Sequence, residues 1–323
     1  MDAMDGPMDC DDLAMLLAAR EAGALAAADG ARLREHVARC ESCRALVTAP
    51  YQLLGELARG GMGRILRAHD HRSGRDVAIK EVLGLSPATR ARFAREIAIT
   101  TRLQHPAIVP IYEAGEWPDG TPFYAMRLVT GGTLGEALAR ARDVDDRLAL
   151  LPHVVAATEA LAYAHAQRIV HRDVSPKNIL VDDRGETTVI DWGLAKELDA
   201  AAEPTAPALT STGDVMGTPG YLSPEQAAGD DADERSDVYA LGAILYTLCA
   251  GQPPYRGAGR TPTPTRLLEL VRAGPPAALA VLAPAVPMQL HAIAERAMAR
   301  DPAARFATAA ELRDELRRAP APR

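Results

Sequence analysis

At 323 residues the chain has room for one large domain or two lobes with sizeable cores, plus a small appendage. A net charge of −7 and a pI near 5.7 argue against a nucleic-acid-binding surface as its main business. Four cysteines, three of them within the first 43 residues, do not read as a disulfide framework, and the longest apolar run, residues 238–251, is 14 residues, too short for a bilayer.

The first residues, MDAMDGPMDCDD, are acidic and lack an apolar core, so no secretory leader is expected. The expectation is a soluble, cytoplasmic protein with no membrane and no nucleic-acid partner. Ala and Arg are heavily used, as in GC-rich bacterial genomes, and Lys80, Lys177 and Lys196 are the only lysines. In so lysine-poor a chain, a lysine inside a motif carries weight.

Residues 1–49 differ in character from the rest of the chain. The spacing of Leu33, Val37 and Cys40 predicts a helix over Ala27 to Leu46. His36, Cys40 and Cys43, at i, i+4 and i+7 in HVARCESC, would share one face of it and suit a tetrahedral zinc site with one corner open. Cys10 is the candidate for that corner. So short a module has too little core of its own, and a metal would serve a structural purpose. The segment resembles the zinc-binding anti-sigma domain of bacterial regulators, which carries HxxxCxxC on a helix and an upstream Cys or His. The resemblance implies Zn2+ and a sigma factor or similar regulator as partner. The alternative is an Ala-rich helical appendage whose Cys and His are incidental.

From Tyr51 the pattern turns to short strands. RGGMGRI places glycines at 60, 61 and 63, where a hairpin tip can bring backbone N–H groups close to phosphates. VAIKEV comes next, with Lys80 in an apolar strand beside Ala78 and Ile79. A buried ammonium there needs an anion, and a helix over Ala88 to Leu103 offers Glu96. No GxxxxGK[ST] is present, so a P-loop nucleotide site has no support. Two further strand candidates, in QHPAIVPIYEAGEW and PFYAMRLVT, end at a Gly pair. Leu148 to Gln167 reads as one long helix with an apolar face. It delivers the chain to HRDVSPKNILVDDRGETTVIDWG, residues 171–193, which reads as a polar loop, a β-hairpin and a second acidic tip.

That stretch closely resembles the catalytic loop and metal-binding motif of the eukaryotic-type protein kinases, HRDxxxxN followed by DFG. The resemblance implies an α+β, bilobal protein kinase-like fold, a Ser/Thr-directed protein kinase, and ATP with Mg2+ (or Mn2+). Asp173 would orient the acceptor hydroxyl and take its proton, with Arg172 beside it; Asn178 and Asp191 would hold the metal. Lys80, paired with Glu96, would reach the α- and β-phosphates. The Gly-rich loop GxGxxGxV corresponds to Ala58, Gly60, Gly63 and Ile65, so its first glycine is an alanine here. Gly60, Gly61, Gly63, Ile65, Ala78 and Lys80 would line the nucleotide, with Met126 behind the adenine. The Arg127 carbonyl and Val129 N–H would bond its edge. Ser175 stands where Ser/Thr kinases usually have lysine, and Lys177, two further on, would stand in for it as a γ-phosphate contact. Trp192 replaces the usual phenylalanine.

Residues 199–214 are rich in Pro, Ala and Thr and fall where the family has its activation segment. Thr205, Thr210, Ser211 and Thr212 are candidate phosphate acceptors there, for autophosphorylation that Arg172 would order. Thr218 in GTPGY favours Ser/Thr specificity. By resemblance Glu225 pairs with Arg305, and Asp237 anchors the catalytic-loop backbone. The expected organisation is 1–49 zinc module, 51–128 smaller lobe, 129–318 larger lobe and 319–323 tail. Two alternatives stand beside a signalling kinase acting on protein Ser/Thr. One is a nucleotide-binding pseudokinase; the other is a regulator acting mainly through sigma-factor binding by residues 1–49.

Overall fold

The computed structural model describes residues 12, 16, 26–40, 50–60, 63–84, 86–117, 119–198, 217–256 and 262–319. It divides into two compact units, the described residues through 57 with 66–77, and residues 58–65 with those from 78 onward.

In the first unit, helix α1 (Ala27–Arg39) buries Leu33, and Arg32 meets Asp29 one turn away. Of the expected span, residues 41–46 lie outside the described residues. Cys40 has left helical backbone, at φ −99° and ψ 111°, although its N–H still donates to the His36 carbonyl at 2.8 Å. The described part of the expected helix therefore ends at Arg39. Cys43 and Cys10 lie outside the described residues. This unit also holds most of strands β1 (Tyr51–Arg59) and β2 (Gly63–Asp70) and the start of β3 (Arg75–Val82). The turn between β2 and β3 is built on Asp70, whose carboxylate accepts from the Arg72 N–H at 3.0 Å and the Ser73 hydroxyl at 2.8 Å.

The second unit adds α2 (Pro87–Arg102), β4 (Ile111–Glu116) and β5 (Pro122–Arg127). Sheet order is β1-β2-β3-β5-β4. Ser86 caps α2 by accepting the Thr89 N–H, and Pro87 sits in the first turn, where a missing N–H costs nothing. Phe93, Glu96, Ile99 and Thr100 recur at helical spacing and are its buried face. Phe93 packs in a core with Ala78, Val82, Val109, Tyr124 and Met126, and Ile65 lies against it.

Beyond β6 (Gly132–Thr133) the chain is mainly helical: α3 (Leu134–Arg140), α4 (Val144–Leu148) and α5 (Leu151–Ala166). The helix expected over 148–167 is α5, which starts three residues later than expected because Leu148 ends the separate α4. Pro152 cannot donate an i→i−4 bond, so it is tolerated only in a first turn, and α5 begins there. Short strands β7 (Ile169–Val170), β8 (Ile179–Val181), β9 (Thr187–Val189) and β10 (Lys196–Glu197) frame the polar loop. β8 and β9 form the expected antiparallel hairpin, and β10 pairs with β7.

Then come α6 (Pro224–Ala228), α7 (Glu234–Ala250), α8 (Pro264–Ala273), α9 (Leu279–Leu282), α10 (Met288–Ala297) and α11 (Ala309–Arg318). Every residue of α7 from Ser236 to Cys249 is buried, which is why its sequence is apolar on all faces. Gly242 lets α10 come close: a Cβ there would lie 2.6 Å from that of Ala297. Among the described residues no helix is long and apolar enough to cross a membrane.

Candidate active site

All the polar groups singled out in β3, α2 and the loop after β7 belong to the second unit. Lys80 is drawn into an apolar strand and finds two anions: its Nζ donates to Glu96 Oε1 at 2.5 Å and to Asp191 Oδ1 at 3.1 Å. Burial pulls its pKa down, but the charges of Asp191 and Glu96 more than offset this, and the net direction is upward. The ammonium is therefore a fixed positive charge. Burial likewise pushes the Asp191 carboxyl up, and Lys80, with His171 and Lys177, brings it below its ordinary value. Asp191 is ionised at neutral pH.

The catalytic-loop candidates converge on Asp173. Asn178 Nδ2 donates to the Asp173 carbonyl at 2.8 Å and to its Oδ2 at 3.0 Å. Two acceptors on the nitrogen fix the amide's orientation and leave Asn178 Oδ1 as the end able to meet a cation. Lys177 Nζ lies 3.3 Å from Asp173 Oδ2. On the other oxygen, Oδ1 accepts the Thr218 hydroxyl at 2.7 Å, and Thr218 Oγ1 is 3.2 Å from Ser175 Oγ. Thr218 is the donor in both contacts, the shorter to Asp173 and the longer to the Ser175 hydroxyl. Where a lysine is usual, Ser175 stands instead, and the half-buried Thr218 hydroxyl bridges it to Asp173.

The loop backbone is held from below. Asp237, wholly buried in α7, accepts the N–H of His171 at 2.8 Å and that of Arg172 at 2.9 Å, one on each oxygen. His165 Nε2 lies 2.9 Å from Asp237 Oδ2. Burial pushes this carboxyl up, and His165 and the loop hold it below its ordinary value. Gln226 Nε2 donates to the Arg172 carbonyl at 2.8 Å, so both ends of a residue at φ +69° are tied down. Trp192 is buried with its ring 4.5 Å from that of His171. Glu225 and Arg305 make the expected two-pronged ion pair, both contacts at 2.7 Å.

Of the nucleotide-lining candidates, Gly60 donates its N–H to the Gly63 carbonyl at 2.8 Å, closing a tight tip. A Cβ on Gly63 would lie 2.5 Å from the Glu81 carbonyl oxygen, so close strand approach alone requires glycine there. Ile65, Ala78 and Met126 share one apolar cluster. The Arg127 side chain turns to the Thr188 hydroxyl and Glu186, leaving its carbonyl and Val129 as backbone groups only. Gly61, Thr205, Thr210, Ser211 and Thr212 lie outside the described residues.

Sequence reasoning missed Tyr124, Gln226, His165 and the Thr218 bridge between Ser175 and Asp173. Tyr124 alone left a usable signal: a phenol amid the apolar strand PFYAM must find an acceptor, and its hydroxyl donates to Glu96 Oε1 at 2.6 Å.

A small β-rich lobe carrying the lysine–glutamate pair, and a helical lobe carrying the Asp–Asn–Asp set, define a bilobal kinase fold. Residues 51–315 match the protein kinase domain family, and the chain belongs to it. It is similar to the DNA damage-responsive serine/threonine-protein kinase RqkA of Deinococcus radiodurans, 42% identical over 215 residues that cover 66% of this chain. It is also similar to the serine/threonine-protein kinase PknB of Mycobacterium tuberculosis, 36% identical over 273 residues covering 82% of this chain. The chain spans only 31% and 42%, respectively, of the length of these two relatives. The crystal structure of the Mycobacterium tuberculosis PknI kinase domain matches with a TM-score of 0.60 at 28% identity, covering 83% of this chain and 96% of that one.

Proposed function

We propose that this chain is an active Ser/Thr protein kinase that moves the γ-phosphoryl group of ATP to protein hydroxyls. The observation that carries the reading is Lys80 held between Glu96 and Asp191, in the same arrangement in which Asn178 locks Asp173. The acceptor oxygen bonds to the γ-phosphorus as its proton passes to Asp173, and the bond to the bridging oxygen breaks with its electron pair leaving on ADP. Lys80 meets the α- and β-phosphates, and Lys177, beside Asp173, is the candidate contact to the γ-phosphate. Asp191 and Asn178 Oδ1 are hard oxygen donors that suit Mg2+ or Mn2+, which supplies neutralisation of phosphate charge when bound. Thr218 on Asp173 favours Ser/Thr acceptors, and Thr205, Thr210, Ser211 and Thr212 remain the candidate sites of autophosphorylation. Relatives named as Ser/Thr kinases support the reading, and the need for ATP as donor is the argument for a cytoplasmic setting.

Incubation with labelled ATP tests it: wild type labels itself or a generic protein acceptor, and Asp173→Ala lowers the rate at least about 100-fold, as removal of a general base does. Nucleotide binding with no transfer by the wild type would favour the pseudokinase reading.

A second proposal concerns residues 1–49, which we read as a zinc module docking a sigma factor or related regulator. Its support is the HVARCESC spacing, with His36 and Cys40 one turn apart at the end of α1. His36→Ala and Cys40→Ser should each lower the zinc content of the purified chain. Unchanged zinc in both rejects the ligand set of Cys10, His36, Cys40 and Cys43.

A further inference from the structure

Strand β5 is buried on both faces, with Phe123, Tyr124, Ala125 and Met126 all under 7% exposed. A phenol hydroxyl in such a place is costly without an acceptor. Tyr124 finds one in Glu96 Oε1, at 2.6 Å, the oxygen that Lys80 also uses at 2.5 Å. The carboxylate is therefore gripped from two strands, β3 through Lys80 and β5 through Tyr124. The two donors differ in freedom. Lys80 shares its ammonium with Asp191, and in the proposed reaction also with phosphates. Tyr124 has a single proton, which burial and the neighbouring Glu96 charge keep on the oxygen. The ring adds a second hold on the same helix, stacking on Phe93 with centroids 5.3 Å apart and planes at 26°. Phe93 and Glu96 are one turn apart on α2, so Tyr124 grips it at two successive positions.

We propose that Tyr124 is a positioning residue that latches α2, keeping Glu96 on Lys80 independently of nucleotide. The latch also joins α2 to the strand that carries Met126, the residue expected behind the adenine. Glu96 faces Lys80 and Tyr124 directly, with Asp191 beyond Lys80, so removal of the phenol leaves one donor that has other claims on it. The inference rests on the kinase reading for its catalytic consequence, but not for its structural one.

Tyr124→Phe keeps the ring and deletes the donor. Amide exchange across residues 93–100 in the nucleotide-free chain should quicken about tenfold, as loss of a hydrogen bond to a charged group implies. Exchange in α7 should not change. Turnover of Mg·ATP should fall by a similar factor in kcat/KM, mainly in kcat. In a Glu96→Gln background the same change should cost less than about twofold, because the group through which Tyr124 acts is already altered. Unchanged exchange in α2, or an equal kinetic loss in both backgrounds, overturns the proposal, since packing alone predicts the latter. Should Tyr124→Phe fail to fold, Tyr124→Ile deletes hydroxyl and ring stack together, so exchange across residues 93–100 must then quicken at least about tenfold, and unchanged exchange overturns the proposal. A wild type without phosphotransfer defeats the kinase reading, and the exchange measurement still decides this one.

Discussion

Arg305 and Glu225 allow the worth of a buried ion pair to be split between its partners. Arg305 is 3% exposed and fully engaged. Its guanidinium donates to both Glu225 oxygens at 2.7 Å, to the Ala299 carbonyl at 2.7 Å, to the Arg235 carbonyl at 2.8 Å and to the Arg300 carbonyl at 3.2 Å. Glu225 has fewer partners: besides Arg305, its Oε1 accepts the Ser236 hydroxyl at 2.7 Å. Arg305→Met therefore strands a half-buried carboxylate on one hydroxyl and empties three carbonyls. Removing one member of a buried pair costs about 3–5 kcal/mol, and this variant should lie in that range. Glu225→Gln keeps an acceptor oxygen and leaves the three carbonyl contacts intact, so about 1–2 kcal/mol is expected.

Urea unfolding at neutral pH, with equal slopes, measures both. A loss in Glu225→Gln equal to or greater than that in Arg305→Met would refute the reasoning. The pH dependence carries a sign. Burial pushes the Glu225 carboxyl up, but the hydrogen bonds and charge of Arg305, with Ser236, bring it below its ordinary value of 4.5. Its contribution is then present above that value and lost as pH falls through the lower folded value. In Arg305→Met the Arg305 causes of that lowering are gone, while burial and the Ser236 bond remain. The gap between wild type and variant should narrow as the pH is lowered below the ordinary value.

Three further outcomes are expected. Gly242→Ala places a Cβ 2.6 Å from the Ala297 Cβ and 3.0 Å from Met298 Cγ, and overpacking of this kind costs about 1–3 kcal/mol, read as a lowered Tm. Asp237→Asn leaves only one acceptor oxygen for the two loop N–H groups. Turnover should drop about 10- to 100-fold while KM for ATP moves less than about threefold, because the loop, not the nucleotide, loses its mooring. Among the described residues the buried Trp192 Nε1 has no hydrogen-bond partner. Trp192→Phe trades lost ring area against removal of that orphan, so stability by urea unfolding should stay within about 1 kcal/mol of wild type. A loss of more than about 3 kcal/mol would mean the indole N–H is satisfied after all.

How much of this fold and site is legible in the sequence depends on how local each constraint is. The loop and hairpin of 171–193 are legible because Asp173, Asn178 and Asp191 act within one short stretch whose strands alternate. The Lys80–Glu96 pair is legible because a lysine in an apolar strand creates a demand that an acid on the next helix can meet. The start of α5 is less so: the apolar spacing takes in Leu148, which belongs to α4, and Pro152 in the first turn is the only mark of where α5 begins. The departure of Cys40 from helical backbone leaves no mark, since HVARCESC keeps its periodicity past Arg39.

Harder still are groups whose partner is distant and whose role is to saturate. Gln226 meets the Arg172 carbonyl across 54 residues, and Asp237 meets the loop N–H groups across 65 and 66. Backbone groups carry no sequence signature, so such bonds become visible only once the fold has closed. Tyr124 lies between these cases. Its hydroxyl announces a need without naming an acceptor, because Glu96 is already accounted for by Lys80 and nothing in the sequence shows that its oxygen has a second lone pair to spare. A buried polar side chain in an apolar strand should therefore be read as a question about every charge within reach, including charges that already have a partner.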